Sequence, residues 1–528
     1  MGIVIGMDTG GTYTDSVLLD IETKTILSKA KAFTTKEDLS IGIANSLSAL
    51  GEIPSPIEKV VLSTTLATNA VVEHQLHPVG AVFIGKTPKG DMPALCTATI
   101  QGKINVKGRE EIRIDEEEVQ TMIADMAKSC KAIAVTGYMS VRNPVQEQKV
   151  KELIQADYDI PVVCGHELSS SLGFSERATT AILNAALLPI IAEFLDAIQK
   201  VMTEKNITAP IFMVRGNGTM ADLNTIRRSP VETILSGPAT SIIGAMYLSD
   251  LQNAVICDMG GTTTDTARLK NGEIRLSATG ASIGPWQTQI PSAELYTCGI
   301  GGDSAITYKE NTFQIGPRRA LPLCRGGEQI TPTDLLHAFG YFAKWDKEAS
   351  QRGLEHLAQK AGKTTELCGQ EIKETILEQL VQTYRKQSDE NLPVIAIGAP
   401  VRYWFEEASK AYGFPLVIPE HHEVANAIGA AAAELKETVC AIVRPGEDGH
   451  GYLIHTPNAR YSASTKEEAV DLAVTQAKDE VAARVRAQGA KNITIDIDQT
   501  DIYCNETEIS NRIYIETRIT ATAVGSLF

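Results

Sequence analysis

The stretch DTGGTYTD at residues 8–15 recurs as DMGGTTTD at residues 258–265, with six of eight positions identical and the two loops 250 positions apart. Each copy follows a short apolar run and precedes another β-prone run, a pattern that predicts strand, tight turn and strand. The paired glycines permit positive φ and let backbone N–H groups approach an anion, while the threonine hydroxyls add neutral donors. The repeat therefore predicts two phosphate-binding hairpins that clamp Mg-ATP between them.

The aspartates that open the two copies form the predicted metal site. Asp8 and Asp258 would repel bare phosphate, so we expect them to hold hydrated Mg²⁺, which keeps several waters and needs only one or two carboxylates. We also expect them to face each other across a cleft and to act as catalytic residues. The predicted nucleotide contacts are the glycines and hydroxyls of both loops, namely Gly10, Gly11, Thr12, Thr14, Gly260, Gly261, Thr262 and Thr263.

Two other interpretations of the repeat are open. A glycine pair after a strand is often a simple hairpin turn, although duplication of the carboxylate, glycines and hydroxyls together disfavours that view. The DTG triplet also occurs in aspartic proteases, which need two such loops whose carboxylates share a proton. Here the second copy is DMG and neither triplet is followed at once by Ser or Thr.

Composition narrows the functional class. A chain of 528 residues that is 43% apolar and 22% charged predicts two or three domains with ample core. A net charge of −16 argues against a nucleic-acid surface and against binding to anionic membranes. The nine cysteines contain no C-x-x-C pair, so neither a disulfide framework nor a zinc site is expected. Without an unbroken apolar run of membrane-spanning length or a basic leader, we expect a cytoplasmic protein.

β-prone runs alternate with helical patterns along most of the chain, which is typical of an α/β fold. A helical pattern over 175–204, interrupted by Pro189, is predicted to join a first lobe to a second and to contain the hinge between them. The pattern then changes near the C-terminus to strands around one helix. We therefore expect lobes over 1–174 and 175–438 and a small α+β domain over 439–528.

Three further glycine-containing loops fit the same nucleotide site. Gly237 lies in a Gly-Pro entry to a helix, where free N–H groups can contact an anion or a ribose. Gly398 ends an apolar strand in small residues, where adenine or ribose can lie against bare backbone. The third loop contains Gly301, Gly302 and Asp303, whose carboxylate suggests a metal or proton-transfer role. Each of these loops also fits an ordinary turn.

Seven segments form a specific combination: IGMDTGGTYTD (5–15), STTLATNAVVEH (63–74), LGFSERATTAILNAAL (172–187), ILSGPATS (234–241), CDMGGTTTD (257–265), CGIGGDSA (298–305) and EVANAIGAA (423–431). Together they resemble the hydantoinase A/5-oxoprolinase family, a branch of the actin-like ATPase superfamily. The resemblance covers roughly residues 3–437. It implies two ribonuclease H-like lobes around a cleft, with the repeated loops at the phosphates and with Gly237 and Gly398 at the nucleoside.

The resemblance implies ATP-dependent activation of a carbonyl, in which an amide, lactam or enolate oxygen takes the γ-phosphoryl group. Phosphoryl transfer depends mainly on positioning and charge neutralisation, which two Asp/Mg²⁺ loops would supply. Thr64 and Thr65 are predicted to hydrogen-bond the phosphoryl acceptor or, alternatively, to cap a helix. Arg177 is predicted to bind a substrate carboxylate that Glu176 orients, and a surface ion pair is the alternative.

The chain departs from the family near the third glycine-rich loop. Family members commonly carry Asp-x-His there, whereas this chain has Glu294 and Tyr296, and tyrosine is a poor substitute for an imidazole ligand. Asp303 stands where the family has a third glycine. We expect Glu294 and Asp303 to be catalytic and, with Tyr296, to line the substrate end of the cleft, where carboxylates favour Mg²⁺ or Mn²⁺ over Zn²⁺. A surface hairpin with solvated acids is the alternative.

The sequence thus predicts a cytoplasmic, Mg-ATP-dependent hydrolase that phosphorylates and opens a cyclic amide or a related small carbonyl compound. Two alternatives are open: an ATP-driven carboxylase subunit that acts on a ketone enolate, and a non-catalytic ATPase switch that activates a partner enzyme. A separate hydantoinase B-type subunit is an expected partner, since the chain is shorter than typical A subunits and carries no B-type half. A homo-oligomer is also expected.

Overall fold

Both repeated loops form the tips of β-hairpins in the computed structural model, which describes residues 2–35, 38–342, 344–387, 391–446, 450–457, 459–505 and 512–527. The first tip joins β1 (Ile3–Thr9) to β2 (Tyr13–Asp20), and the second joins β13 (Ala254–Met259) to β14 (Thr264–Lys270). The strands of each hairpin pair antiparallel along their whole length. The prediction of strand, turn and strand is confirmed for both copies.

The first hairpin belongs to a sheet of eleven described strands. In addition to β1 and β2 they are β3 (Thr25–Phe33), β4 (Lys59–Thr64), β11 (Ile211–Val214), β12 (Met220–Asp222), β23 (Leu435–Pro445), β24 (Tyr452–His455), β25 (Arg460–Ala463), β26 (Asn492–Asn505) and β27 (Arg512–Ser526). Their order is β25-β24-β23-β12-β11-β4-β1-β2-β3, with β27 also paired to β23 and β26 paired to β27.

The second hairpin belongs to a sheet with the same internal order. Its other described strands are β15 (Glu273–Ile274), β18 (Tyr296–Cys298), β21 (Val394–Ile397) and β22 (Leu416–Val417). The order β15-β14-β13-β21-β22 repeats β3-β2-β1-β4-β11, because β1 and β13 each run antiparallel to the next strand and parallel to β4 or β21. The duplicated loops thus sit on duplicated sheets, and the predicted two-lobed, ribonuclease H-like α/β fold is confirmed.

Smaller sheets are inserted into this plan. A parallel four-stranded sheet has the order β10-β9-β5-β6 and lies between β4 and β11 in the chain. Its strands are β5 (Val79–Ile84), β6 (Cys96–Ile100), β9 (Ala132–Gly137) and β10 (Val162–Cys164). The two-stranded pairs are β7 (Lys103–Ile104) with β8 (Glu110–Ile112), β16 (Ser282–Ile283) with β17 (Trp286–Gln287), and β19 (Ser304–Lys309) with β20 (Thr312–Arg319).

The helices pack on the faces of these sheets, and several begin at a side-chain cap. They are α1 (Leu39–Ala49), α2 (Leu66–Val72), α3 (Glu116–Met126), α4 (Val145–Asp157), α5 (Gly165–Leu168), α6 (Phe174–Glu204), α7 (Leu223–Arg228), α8 (Ser236–Tyr247), α9 (Pro332–Ala338), α10 (Lys347–Ala361), α11 (Thr365–Arg385), α12 (Val401–Tyr412), α13 (Ala425–Ala432) and α14 (Lys466–Ala487). Asp38, Asp115 and Thr465, for example, accept backbone N–H groups at the starts of α1, α3 and α14.

The long helix α6 differs from its prediction in two respects. It runs unbroken for 31 residues through Pro189, and it does not join the two lobes. Leu183 and Leu187 pack into the core under the first sheet, while Ala178 and Ile182 pack under the four-stranded sheet. Packing on both sides holds the helix together although proline lacks the N–H of a helical hydrogen bond. By length and composition α6 could cross a membrane, but most of its apolar stretch is buried inside the protein.

The chain crosses between the two hairpin sheets through α8, which leads to β13, and through α13, which leads to β23. A Cβ atom on Gly244 of α8 would lie 1.9 Å from the carbonyl oxygen of Ala425, and one on Gly429 of α13 would lie 1.9 Å from that of Thr240. The two helices therefore touch backbone to backbone. This crossing links the lobes, in place of the hinge that the sequence suggested at residues 175–189.

The predicted domain boundaries do not coincide with the sheets. The junction at 174/175 falls inside α6, and the junction at 438/439 falls inside β23. β11 and β12, expected in the second lobe, pair within the first sheet, and the C-terminal strands extend that same sheet. Near that second junction α13 ends at Ala432, and the chain then becomes the strand β23. The α+β character of the C-terminal segment agrees with the prediction.

Candidate active site

Asp8 and Asp258 belong to one hydrogen-bonded network where the two lobes meet. Asn426 of α13 donates from Nδ2 to a carboxylate oxygen of Asp8 at 3.4 Å, and Ser63 of β4 donates to the other oxygen. Ser241 of α8 lies 2.5 Å from the carboxylate of Asp258 and 3.0 Å from Oδ1 of Asn426. One aspartate from each hairpin is thus tied to the other through the two crossing helices.

Burial raises the pKa of both carboxyls in this network. The pKa of Asp8 rises to about 6, chiefly because burial removes water from the carboxylate, while Ser63 opposes the rise. The pKa of Asp258 rises to about 7 for the same main reason, with Ser241 opposing and Asp8 among the contributors. Two adjacent, desolvated carboxylates are hard oxygen donors that a divalent cation would keep ionised. The residues present therefore fit Mg²⁺.

The hairpin tips present bare backbone. Contrary to expectation, none of the four tip glycines has a positive φ. A Cβ atom on Gly11 would meet no atom closer than 3.9 Å, and one on Gly260 none closer than 3.7 Å. No tip glycine is therefore needed for a positive φ, and at Gly11 and Gly260 the missing side chain leaves open space over the main chain. Such space would admit a phosphate to the N–H groups.

The tip threonines separate into two groups. Thr12, Thr262 and Thr263 are half-buried at the tips, as a ligand contact requires. Thr14 is instead fully buried, and its hydroxyl lies 3.1 Å from that of Thr34. The prediction that Thr14 binds nucleotide is therefore wrong: strand alternation turns this side chain toward the core of the first lobe.

The third glycine-rich loop packs on the second hairpin. The N–H of Gly302 donates to the carbonyl of Gly260 at 3.0 Å, and that of Asp303 donates to the carbonyl of Gly261 at 2.6 Å. A Cβ atom on Gly301 would lie 2.6 Å from the main chain of the hairpin, so this glycine permits close packing. The carboxylate of Asp303 lies beside Gly261, 3.2 Å from where a Cβ would be, which brings Asp303 to the predicted phosphate site.

Gly237 and Gly398 border the same network. Gly237 lies in the first turn of α8, and the nearest atom to an added Cβ is 3.4 Å away on Thr65. Gly398 has φ +105°, and a Cβ there would lie 2.3 Å from the carbonyl oxygen of Met259 and 3.1 Å from the carboxylate of Asp258. Glycine is therefore required at 398 so that the end of β21 can approach the second hairpin. Contact of either glycine with a nucleoside stays a prediction.

Thr64 and Thr65 end β4 beside the first hairpin. Thr64 is fully buried, and its hydroxyl accepts the N–H of Leu66 at 3.1 Å, at the start of α2. The hydroxyl of Thr65 accepts from the amide of Asn69 at 3.2 Å. The Thr64 hydroxyl thus accepts a backbone N–H at the start of α2, whereas Thr65 stands at the N-cap position without a side-chain cap hydrogen bond. Of the two, only Thr65 is partly accessible to a ligand.

The predicted substrate role of Arg177 is not supported by its position. Its side chain is fully buried and donates to the carbonyl oxygens of Gly137 at 2.7 Å, Tyr138 at 3.2 Å and Ser171 at 3.2 Å. The guanidinium is thus occupied in holding the loop after β9 against α6, which excludes both the substrate carboxylate and the surface ion pair. Glu176 is half-buried next to it.

Glu294 and Tyr296 also lie away from their predicted place. Glu294 forms an ion pair with Arg275 at 2.7 Å, with about half of its side chain exposed. Tyr296, on the short strand β18, contacts Lys386 through both its hydroxyl and its ring. Within the described part of the chain, no recorded hydrogen bond or ion pair joins either residue to Asp303. Glu294 is the solvated acid that the alternative interpretation predicted. Tyr296 pairs with Thr266 on the second hairpin through its main chain, and of the three carboxylate and phenol side chains only that of Asp303 lies beside a hairpin tip.

Ser63, Ser241 and Asn426 were not selected from the sequence, although each lies within a segment that carries the family resemblance. Nothing in the sequence around these three residues marked them as functional, because serine and asparagine also occur as ordinary helix and strand residues. Only their convergence on Asp8 and Asp258 distinguishes them.

Two family models together match most of the chain. The model for the hydantoinase/oxoprolinase N-terminal region matches residues 4–158, and the hydantoinase/oxoprolinase model matches residues 177–439. The caprolactamase alpha subunit of Pseudomonas jessenii is 28% identical over 382 residues, which cover 64% of this chain and 54% of that protein. The acetophenone carboxylase gamma subunit of Aromatoleum aromaticum is 28% identical over 393 residues, 64% of this chain and 53% of that one.

The chain therefore spans about half the length of the curated relatives that it matches. The nucleotide-free structure of an ATP-dependent acetone carboxylase superposes with a TM-score of 0.78 at 17% identity, covering 99% of this chain and 88% of the other, which shows a shared fold. These relatives include ATP-dependent enzymes. From the two matched regions, the duplicated hairpins and the shared architecture, we conclude that the chain belongs to the hydantoinase/oxoprolinase family.

Proposed function

We propose that this protein is an ATP-dependent hydrolase that phosphorylates the carbonyl oxygen of a cyclic amide, or of a related small carbonyl compound, and so opens it. The observation that carries the proposal is the network that joins Asp8 and Asp258 through Ser241 and Asn426 beneath two open hairpin tips. A site of this kind suits phosphoryl transfer, which requires positioning and charge neutralisation more than covalent chemistry by the protein.

Each part of the site has a role in this proposal. The main chain at Gly11 and Gly260 would donate N–H groups to the phosphates, and Thr12 would add a hydroxyl. Asp8 and Asp258 would hold Mg²⁺, which neutralises charge on a triphosphate when bound. Because the two carboxylates come from different lobes and share one hydrogen-bonded network, a single ligand would contact both hairpins.

Relatives support the choice of substrate class. The caprolactamase alpha subunit is named for a lactam, and lactams and hydantoins share a ring amide whose oxygen can accept a phosphoryl group. Phosphorylation would convert a poor leaving oxygen into a good one and make the carbonyl carbon open to water. We propose a cytoplasmic location for this reaction, which the nine free cysteines support, since free thiols are typical of a reducing compartment.

A carboxylase subunit is the second candidate. The acetophenone carboxylase gamma subunit matches at the same 28% identity as the caprolactamase subunit, and acetone carboxylase shares the fold. In that reaction an enolate oxygen would take the phosphoryl group, so the same hairpins would serve. Both of these relatives, the caprolactamase and the acetophenone carboxylase chains, are named as subunits. We therefore propose that a separate hydantoinase B-type chain assists this protein.

Release of ADP across hydantoins, lactams and ketones, with and without bicarbonate, tests these proposals. Stimulation by a cyclic amide without bicarbonate supports the hydrolase, whereas stimulation by a ketone only with bicarbonate supports the carboxylase. The Asp258→Asn variant serves as the control for turnover at this site. Slow ADP release that no small carbonyl compound stimulates, with or without the partner chain, would contradict both and favour an ATPase switch.

A further inference from the structure

An arginine from the second lobe reaches the tip of the first hairpin. Arg319, the last residue of β20, donates from Nη2 to the hydroxyl of Thr12, and the same nitrogen lies 3.5 Å from a carboxylate oxygen of Asp303. Thr12 belongs to the first hairpin, while Asp303 lies beside Gly261 of the second. The guanidinium therefore stands between the two predicted phosphate loops.

The main chain fixes Arg319 in this place. The N–H of Ala320 donates to the carbonyl of Asp303 at 2.8 Å, and the N–H of Asp303 donates to the carbonyl of Gly261 at 2.6 Å. The third loop thus couples the end of β20 to the second hairpin through two backbone hydrogen bonds. Positioning on a strand end, rather than on a free loop, favours a defined orientation of the guanidinium.

The present contacts of Arg319 leave its guanidinium able to bind an anion. Its side chain is 36% exposed, whereas that of Asp303 is 11% exposed. A single carboxylate at 3.5 Å is a loose partner, and Thr12 is neutral. Within the described part of the chain, both recorded hydrogen bonds of the guanidinium use Nη2, although an arginine carries five N–H donors. A planar, permanently charged fork of this kind matches the oxygens of a phosphoryl group.

We propose that Arg319 binds the phosphoryl group during its transfer and that Asp303 is the positioning residue that holds Arg319 over the hairpins. The inference rests on the proposed function. In the transfer the bond between the γ-phosphorus and the bridging oxygen of ATP breaks, and its electron pair leaves with ADP. A new bond forms from the carbonyl oxygen of the substrate to the same phosphorus. Arg319 exchanges no proton and stabilises the charge on the equatorial oxygens.

The neighbouring arginine provides a matched control. Arg318 precedes Arg319 on the same strand, so its side chain points to the opposite face, where it lies 3.4 Å from Gln329. Arg319→Ala and Arg318→Ala remove the same charge one residue apart. We would measure the dissociation constant of a non-hydrolysable ATP analogue by calorimetry, and kcat and KM for ADP release under the conditions that stimulate the wild type most.

Arg319→Ala should lower kcat about 100-fold or more, as removal of one transition-state donor does, while the analogue binds within about threefold of wild type. Arg319→Lys should recover little of the loss, because lysine lacks the fork. Arg318→Ala should leave both quantities near wild type. Asp303→Asn should lower kcat less than Arg319→Ala, and the double variant should be no slower than Arg319→Ala alone.

Equal losses of kcat in the Arg318 and Arg319 variants, or full activity in Arg319→Lys, would overturn the proposal. A kcat unchanged by Arg319→Ala would do so as well, even if the proposed carbonyl phosphorylation holds. Failure of the wild type to bind the ATP analogue at all would overturn both the proposed function and this inference. If the wild type binds the analogue but no carbonyl compound stimulates it, kcat of basal ATP hydrolysis decides the role of Arg319 separately from the substrate question.

Discussion

Replacing Asp258 by asparagine should stabilise the ligand-free protein at neutral pH while impairing its use of ATP. The pKa of this carboxyl rises from an ordinary value of 3.8 to about 7, mainly because burial disfavours the charged form. The folded protein therefore binds this proton more tightly than the unfolded chain does. Ionising the group at neutral pH lowers the free energy of unfolding, and a neutral asparagine of the same shape avoids that loss.

The magnitude follows from the two pKa values. At about 1.4 kcal/mol per pKa unit, the rise from 3.8 to about 7 corresponds to about 4 kcal/mol at most at pH 8. Asparagine can still accept a hydrogen bond from Ser241, so the replacement should leave the network largely intact. We expect a net gain of roughly 2–4 kcal/mol above pH 7, which shrinks as the pH falls and vanishes only below pH 3.8, where wild type is protonated in both states.

Calorimetric melting of wild type and Asp258→Asn, without nucleotide or Mg²⁺, at pH values from 4 to 8 measures this effect. The difference in melting temperature should grow with pH and then level off above pH 7. Addition of Mg²⁺ and an ATP analogue should raise the melting temperature of the wild type more than that of the variant, by linkage to binding. A variant less stable than wild type at pH 8, or a difference that does not change with pH, would refute the desolvation argument.

Other substitutions test separate parts of the structure. Gly429→Ala should lower the free energy of unfolding by about 3 kcal/mol or more, because the new Cβ would lie 1.9 Å from the carbonyl oxygen of Thr240. Its melting temperature should be compared with that of Gly237→Ala, where the nearest atom to the new Cβ is 3.4 Å away. Arg177→Ala should cost about 3 kcal/mol in urea unfolding, since three carbonyl oxygens lose their donor. If Arg177→Ala changed only KM and not stability, Arg177 would bind substrate, as the sequence predicted. Glu294→Gln should change the free energy of unfolding by less than about 0.5 kcal/mol and kcat by less than about twofold, because the ion pair with Arg275 is exposed. A large loss of kcat would show instead that Glu294 acts in the active site.

The sequence by itself determined the parts of this protein that depend on local patterns. Two copies of one loop, each between apolar runs, were sufficient to predict both hairpins, because strand alternation and turn composition are properties of neighbouring residues. The seven segments that resemble the hydantoinase A/5-oxoprolinase family were likewise sufficient to predict the family and the two-lobed fold. Asp8 and Asp258 could be chosen because a carboxylate beside paired glycines is a chemical signal that needs no tertiary context.

Only the tertiary structure decided which segments share a sheet and which side chains meet. β11 and β23 join the first sheet through pairings with strands far away in the chain, so no local pattern could assign them to a lobe. Arg177 looked available for a ligand in the sequence, yet packing buries it among carbonyl oxygens. Asn426 and Arg319 reach the first hairpin from more than 300 positions away in the chain, and such contacts exist only once the two sheets have docked.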